Sequence, residues 1–211
     1  MNLANKLTIF RIILVPLMVI IPFFGIQGEI LGIPITYLII DFIFIIASIT
    51  DKLDGYIARS RNQVTTFGKF LDPLADKILV LAAMVMLVEI DKIPAWIPII
   101  VLAREFIVSG YRLIAVEKGG KVIAASKWGK LKTVTQMIAI IMIFIDKYNF
   151  FDCIKATADA KTAMESSYMI YMNQGSMIFN AITSICLLIS VIATIFSGYE
   201  YLKDGKDLLK D

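Results

Sequence analysis

Four aspartates gather in one stretch of the chain, Ser48 to Ile78, which reads SITDKLDGYIARSRNQVTTFGKFLDPLADKI. Asp51 and Asp54 are three residues apart and Asp72 and Asp76 four apart, so on helices each pair shares one face. The linker between the pairs, roughly Ser60 to Lys69, is short. It makes the two helices antiparallel neighbours and brings all four carboxylates to one depth. Carboxylates that close need counter-charge or protonation. A hard divalent cation, or two, is the natural counter-charge, because carboxylate oxygens suit magnesium, manganese or calcium. Gly55 and Gly68 remove side chains beside the carboxylates, so that phosphates or a sugar can approach the helix backbone. Ala58 lies on the same face as Asp51 and keeps that approach open, while Arg59 can reach a phosphate oxygen with a bidentate fork. The competing reading is a set of membrane-surface salt bridges with Lys52, Lys69 and Lys77. Lys52 and Lys77 each adjoin an aspartate in sequence, which points them to a different face.

The elements that must position these residues are apolar. Of 211 residues, 58% are hydrophobic and 18% charged, against about 45–50% and roughly 25% in ordinary globular domains. With a mean hydropathy of +0.78, lipid is the expected solvent for most of the surface. A net charge of +3 is too small to drive polyanion binding, so no nucleic-acid partner is expected, and a disordered segment and a coiled coil are excluded. The chain has no histidine. Histidine-dependent hydrolases and histidine-ligated zinc sites are thereby removed, and any general base must be a carboxylate, a lysine or a tyrosine. Cys153 and Cys186 lie far apart without CxxC spacing, so neither a thiolate metal site nor a structural disulfide is expected.

Six segments approach the roughly 20 apolar residues that a spanning helix needs: Leu7–Phe24, Ile35–Arg59, Phe70–Val88, Ala95–Val116, Trp128–Ile145 and Met177–Tyr199. The expected fold is an all-α integral membrane protein with six transmembrane helices in a single domain over residues 1–211. The first segment reads as a retained span and not a cleaved signal, since Arg11 interrupts its apolar run and no small-residue cleavage site follows Phe24. Lysines and arginines cluster on one side of this arrangement, near Lys6, Arg59–Lys69, Lys118–Lys132 and Lys203–Lys210. The other side holds Lys92, Lys147, Lys155 and Lys161, which predicts cytoplasmic termini. The stretch Asp146–Gln174, with charges of both signs, reads as an external loop or surface helix.

Asp51-x-x-Asp54-Gly55-x-x-Ala58-Arg59, followed after eight residues by Gly68-x-x-x-Asp72-x-x-x-Asp76, resembles the complete signature of the CDP-alcohol phosphotransferases. The resemblance implies six transmembrane helices, a homodimer, and a polar cavity open to the cytoplasm of a bacterial inner membrane. It implies that Asp51, Asp54, Asp72 and Asp76 bind two divalent cations, Mg2+ or Mn2+, and that an alcohol displaces CMP from a CDP-activated lipid. Asp54, Gly55, Ala58, Arg59, Gly68 and Thr8 are then the nucleotide-binding residues and Asp76 the general base. Further stretches are similar to bacterial members that join CDP-diacylglycerol to glycerol 3-phosphate: Asn5-Lys-Leu-Thr8-Ile-Phe-Arg11, Phe70-Leu-Asp-Pro73, Ala103-Arg104-Glu105-Phe106, Gly129-Lys130-Leu-Lys132-Thr133 and Ser197-Gly198-x-Glu200-Tyr201.

Glycerol 3-phosphate is a small dianion, and Arg104, Arg112, Lys130 and Lys132 are the cations expected to bind its phosphate. Arg104 and Arg112 stand eight residues apart on one span, so both long side chains can reach one cavity. The alternatives are that Arg104 pairs with Glu105 or a metal-site aspartate and that the lysines are interfacial anchors. Thr8, Asn5 and Arg11 either line the cavity or cap and anchor the first helix. Two other functions compete: a transferase of the same family with another acceptor, such as inositol phosphate, and a divalent-cation channel. The channel predicts carboxylates along the whole bilayer, whereas only Asp41 lies deeper than the cluster. An unperturbed aspartate has a pKa of about 3.9, so a base at Asp76 depends on an acidified alcohol or partial desolvation. Asp76→Asn should abolish CMP release while retaining nucleotide binding, whereas Asp51→Asn should weaken metal and nucleotide binding together. Turnover retained in the Asp76 variant would remove the base assignment.

Overall fold

The computed structural model describes the backbone of residues 3–60, 66–117, 127–154 and 172–204, and the side-chain environments of residues 5–51, 71–115, 127–154 and 172–203. The order of elements is α1 (Leu3–Ile20), a 3-10 turn (Ile21–Phe24), β1 (Glu29–Ile30), β2 (Ile33–Pro34), α2 (Ile35–Ser60), α3 (Thr66–Glu89), α4 (Trp96–Glu117), α5 (Lys127–Ile145) and α6 (Gln174–Asp204). Each expected span is a helix. Three run well past the apolar limits: α1 starts at Leu3, before the expected Leu7, α3 starts at Thr66, before the expected Phe70, and α6 ends at Asp204, beyond Tyr199. Lys69 and Lys203 terminate a hydrophobic window, but neither interrupts helical backbone hydrogen bonding.

Among the described residues, three helices are long and apolar enough to cross a membrane: Asn5–Phe24, Lys127–Ile145 and Gln174–Lys203. The helices α3 and α4 carry the charges that separate them from these, Asp72, Asp76 and Lys77 in one and Arg104, Glu105 and Arg112 in the other. Between α1 and α2 the chain makes a small hairpin. Glu29 pairs with Pro34 and Ile30 with Ile33. Leu31 and Gly32 both take positive φ, 54° and 78°, the sign required at both positions of a two-residue type I′ turn, which glycine adopts without steric penalty.

The chain divides into two compact units, residues 1–90 with 143–147, and residues 91–142 with 148–211. In the first, α1 packs on α2 and α3, and α2 on α3. Their buried faces follow helical spacing: Leu14, Val15 and Met18 on α1; Ile40, Ile43, Phe44 and Ala47 on α2; Ala75, Leu79, Ala83 and Leu87 on α3. Each apolar face turns polar at one end. On α1 it continues into Arg11 and Thr8, and on α2 into Ser48 and Asp51, while Asp72 lies one turn before Ala75 on α3.

In the second unit, α4 packs on α6, and α6 has an inverted polarity. Its buried positions include Asn180, Thr183, Ser184, Ser190, Thr194 and Ser197, while Ile178, Ile182, Ile185, Ile189, Ile192 and Ile195 are exposed. Small polar residues let helices approach closely in lipid, and isoleucines outside suit contact with acyl chains. Thr183, Ser190 and Thr194 donate their hydroxyl protons to carbonyl oxygens three or four residues earlier in α6, at 2.9, 2.8 and 2.6 Å.

Of the expected Asp146–Gln174 loop or surface helix, residues 155–171 lie outside the described residues; the part before them is fixed. Asn180 accepts from the Cys153 amide at 3.0 Å and donates to the Asn149 carbonyl at 2.9 Å. Ser184 accepts from the Phe151 amide at 2.9 Å, and the Phe150 amide donates to the Lys92 carbonyl at 3.0 Å. Asn180 is 1% exposed, and its removal takes away the side-chain acceptor of the Cys153 amide and one of two donors to the Asn149 carbonyl, which also accepts from the Asp152 amide at 3.2 Å. Asn180→Ala should destabilise the protein by about 1–3 kcal/mol, measured as a lowered thermal midpoint in detergent, whereas substitution of exposed Ile182 by Val should change it little.

Candidate active site

Thr8 and Arg11 stand one turn apart at the polar end of the buried face of α1. Arg11 is fully buried, and a guanidinium removed from water must find negative partners. Its Nη1 lies 2.8 Å from Asp51 Oδ1 on α2, and its Nε donates to the Ala47 carbonyl oxygen at 3.3 Å. The small side chain of Ala47, itself buried, leaves room for the arginine stem. Thr8 donates its hydroxyl proton to Asp72 Oδ1 on α3 at 2.7 Å. A single turn of α1 therefore holds one carboxylate from each of the two helices that carry the motif.

These contacts decide between several of the readings above. Arg11 pairs with Asp51 from within the helix packing, where the surface reading had offered Lys52. Thr8 turns its hydroxyl toward a carboxylate. Each aspartate engages Oδ1, and a carboxylate offers two oxygens with about four lone-pair sites, so acceptor capacity remains for a cation. The Asp51 side chain is 33% exposed and Asp72 is half-buried. Asp76, one turn further along α3, is half-buried and partnered. The donors on hand are carboxylates and a hydroxyl, a hard oxygen set of the kind that Mg2+ or Mn2+ accepts. Among the described residues no group of three acidic side chains forms a metal cage. Residues Asp54, Gly55, Ala58, Arg59 and Gly68 have side-chain environments outside those described, so five predicted nucleotide residues, of which Asp54 is also a predicted metal ligand, have no described surroundings.

The second unit holds the expected phosphate cations. Arg104 donates through Nη1 to Glu105 Oε1 at 2.9 Å and through Nη2 to Ser197 Oγ at 2.5 Å. Lys132 donates to the same Glu105 oxygen, also at 2.5 Å. The pairing of Arg104 with Glu105, one of the alternatives above, is what forms, and Lys132 is 7% exposed, a buried ion-pair partner. Arg112 is exposed and donates through Nη2 to Tyr201 Oη at 3.0 Å. Both guanidiniums lie 5.7 Å from the centroid of the Tyr201 ring. Lys130 is exposed. Trp96 rests edge-on near Phe150, and Trp128 stacks against Phe196.

Sequence reasoning named the arginines and missed what arranges them. Ser197 and Tyr201 appeared only within a similar stretch at the end of the last helix. The available signal was their spacing of four, which places a hydroxyl and a phenol on one face with Gly198 between them.

The CDP-alcohol phosphatidyltransferase family model matches residues 1–196. The CDP-diacylglycerol–glycerol-3-phosphate 3-phosphatidyltransferase of Bacillus subtilis is 38% identical over 214 residues, covering 99% of this chain and 97% of its own. Proteins of the same name from Haemophilus influenzae and Rickettsia bellii are each 37% identical, covering 100% and 97% of this chain and 96% of their own lengths. With the aspartate motif held between α2 and α3 and similarity running the length of the sequence, the chain belongs to the CDP-alcohol phosphatidyltransferase family.

Proposed function

We propose that this chain transfers the phosphatidyl group of CDP-diacylglycerol to glycerol 3-phosphate, giving phosphatidylglycerophosphate and CMP. The observation that carries the reading is the turn of α1 on which Thr8 and Arg11 hold Asp72 and Asp51. Two helices that each bring acidic residues are tied at the carboxylates themselves, where an isolated surface salt bridge would contribute little. Full-length similarity to transferases named for this reaction supports the choice of substrates.

Asp51, Asp54, Asp72 and Asp76 would hold two divalent cations, Mg2+ or Mn2+, which when bound neutralise the pyrophosphate and stabilise the departing CMP. Gly55, Ala58 and Gly68 leave the nucleotide room at the helix surface, and Arg59 binds a phosphate oxygen. Asp76 takes the proton of the glycerol hydroxyl as that oxygen bonds to the lipid-side phosphorus. The bond from this phosphorus to the CMP oxygen breaks, and CMP leaves with the electron pair. Arg104, Arg112, Lys130 and Lys132 hold the phosphate of the acceptor, Lys132 through an ammonium that also pairs with Glu105 beside Arg104. Six crossings, a homodimer, and placement in a bacterial cytoplasmic membrane with the site facing the cytoplasm complete the proposal. The excess of lysine and arginine on one side supports that orientation.

Purified protein given CDP-diacylglycerol and Mg2+ should release CMP with glycerol 3-phosphate and not with inositol phosphate, serine or choline. Chelation with EDTA should stop release and added Mg2+ restore it. Release with another acceptor alone would reassign the substrate. In a separate titration followed by electron paramagnetic resonance without substrate, Thr8→Val should weaken Mn2+ binding about tenfold, the usual scale for losing an outer-sphere partner of a metal ligand. Unchanged affinity would show that α1 does not brace the site.

A further inference from the structure

The cluster around Tyr201 holds more positive charge than its described carboxylates balance. Arg104, Arg112 and Lys132 are three cations, yet Arg104 and Lys132 share a single oxygen of Glu105. Even with Glu200, the neighbour of Tyr201, counted, cations outnumber carboxylates by three to two. Donor capacity is also left over. The Nε of Arg104 is buried without a hydrogen-bond partner among the described residues. Arg112 is exposed, and the only hydrogen bond described for it goes to Tyr201, which leaves most of its five N–H groups available.

The organising element is the tyrosine. Tyr201 is 2% exposed, so it is out of reach of a ligand, yet both guanidiniums lie 5.7 Å from its ring centroid and therefore within twice that distance of each other. Two like charges so placed repel, and the electron-rich ring offsets part of that repulsion. The phenol oxygen accepts from Arg112, and Ser197, one turn earlier on the same face of α6, accepts from Arg104. Gly198 lies between them beside the Arg104 stem, and a β-carbon there would come into contact with it, 3.4 Å from Arg104 Cγ.

From this arrangement we infer that Tyr201 is the positioning residue for the acceptor phosphate: it fixes Arg104 and Arg112 as a pair before a phosphate dianion arrives. A free arginine side chain loses considerable rotamer freedom when it closes on a ligand, and an arginine already held loses little. The inference rests on the reading of Arg104 and Arg112 as acceptor-phosphate ligands in the proposed function, and it adds a residue that touches neither substrate.

The test is steady-state kinetics of CMP release with both substrates varied. Tyr201→Phe, which keeps the ring and removes the acceptor for Arg112, should raise the KM for glycerol 3-phosphate about tenfold, with kcat and the KM for CDP-diacylglycerol within about twofold of the parent. Weaker inhibition by inorganic phosphate competing with glycerol 3-phosphate should accompany it. Ser197→Ala should act in the same direction through Arg104, and Tyr199→Phe, on the exposed face of α6, should change nothing. A Tyr201→Phe enzyme with an unchanged KM for glycerol 3-phosphate, or with both KM values and kcat shifted together, overturns the positioning role while leaving the proposed function standing. A parent protein that releases no CMP with glycerol 3-phosphate overturns the proposed function, and this inference with it.

Discussion

A guanidinium sealed from solvent governs the carboxylate end of the first unit. Moving an ion from water into a protein interior costs several kcal/mol even after relaxation, so Arg11 is tolerable only where Asp51 and the Ala47 carbonyl meet it. That requirement couples the packing of α1 on α2 to one register: a slip of one turn along the apolar face would still bury leucine and isoleucine, but it would strand the charge. Thr8 extends the constraint to α3 through Asp72. The apolar faces supply most of the burial, and the polar end decides which of several similar packings is the native one.

The same rule operates on the other side of the division between units. Glu105 lies between Arg104 and Lys132, and each of the three is largely withdrawn from solvent. In both units a polar cluster is held by side chains that are fixed by packing and ion pairing. Sites built in this way bind charged ligands with little reorganisation, which is where much of the efficiency of phosphoryl transfer originates.

The helical skeleton was legible in the sequence because long apolar segments declare themselves, and six helices appeared within a few residues of the expected bounds, three of them among the described residues long and apolar enough to cross a membrane. Helix ends were less legible, since lysines close a hydropathy window without ending a helix, as at Lys69 and Lys203. The hairpin at Leu31–Gly32 depends on a turn geometry that an Asn-Gly or Asp-Gly pair would have signalled and Leu-Gly does not. At the site, spacing placed Asp51 and Asp72 on adjoining helices correctly. It could not say whether Thr8 faces a nucleotide or a carboxylate, nor that Arg11 and not a surface lysine would pair with Asp51, because the partner of a polar side chain is fixed by packing between helices. Tyr201 illustrates the same limit: its neighbours lie some ninety residues away in the chain.

The hydroxyls on α6 have a consequence for how the protein assembles. Thr183, Ser190 and Thr194 close their hydrogen bonds on carbonyl groups of the same helix, so these side chains present no unmet polarity to acyl chains. This helix is long and apolar enough to cross a membrane, and before it packs its unmet polarity is confined to side chains such as Asn180, Ser184 and Ser197, whose bonds reach other segments. Its later docking against α4 then exchanges one apolar solvent for another, and close fit of small side chains, with the arginine contacts at Ser197 and Tyr201, supplies the selectivity for the correct neighbour.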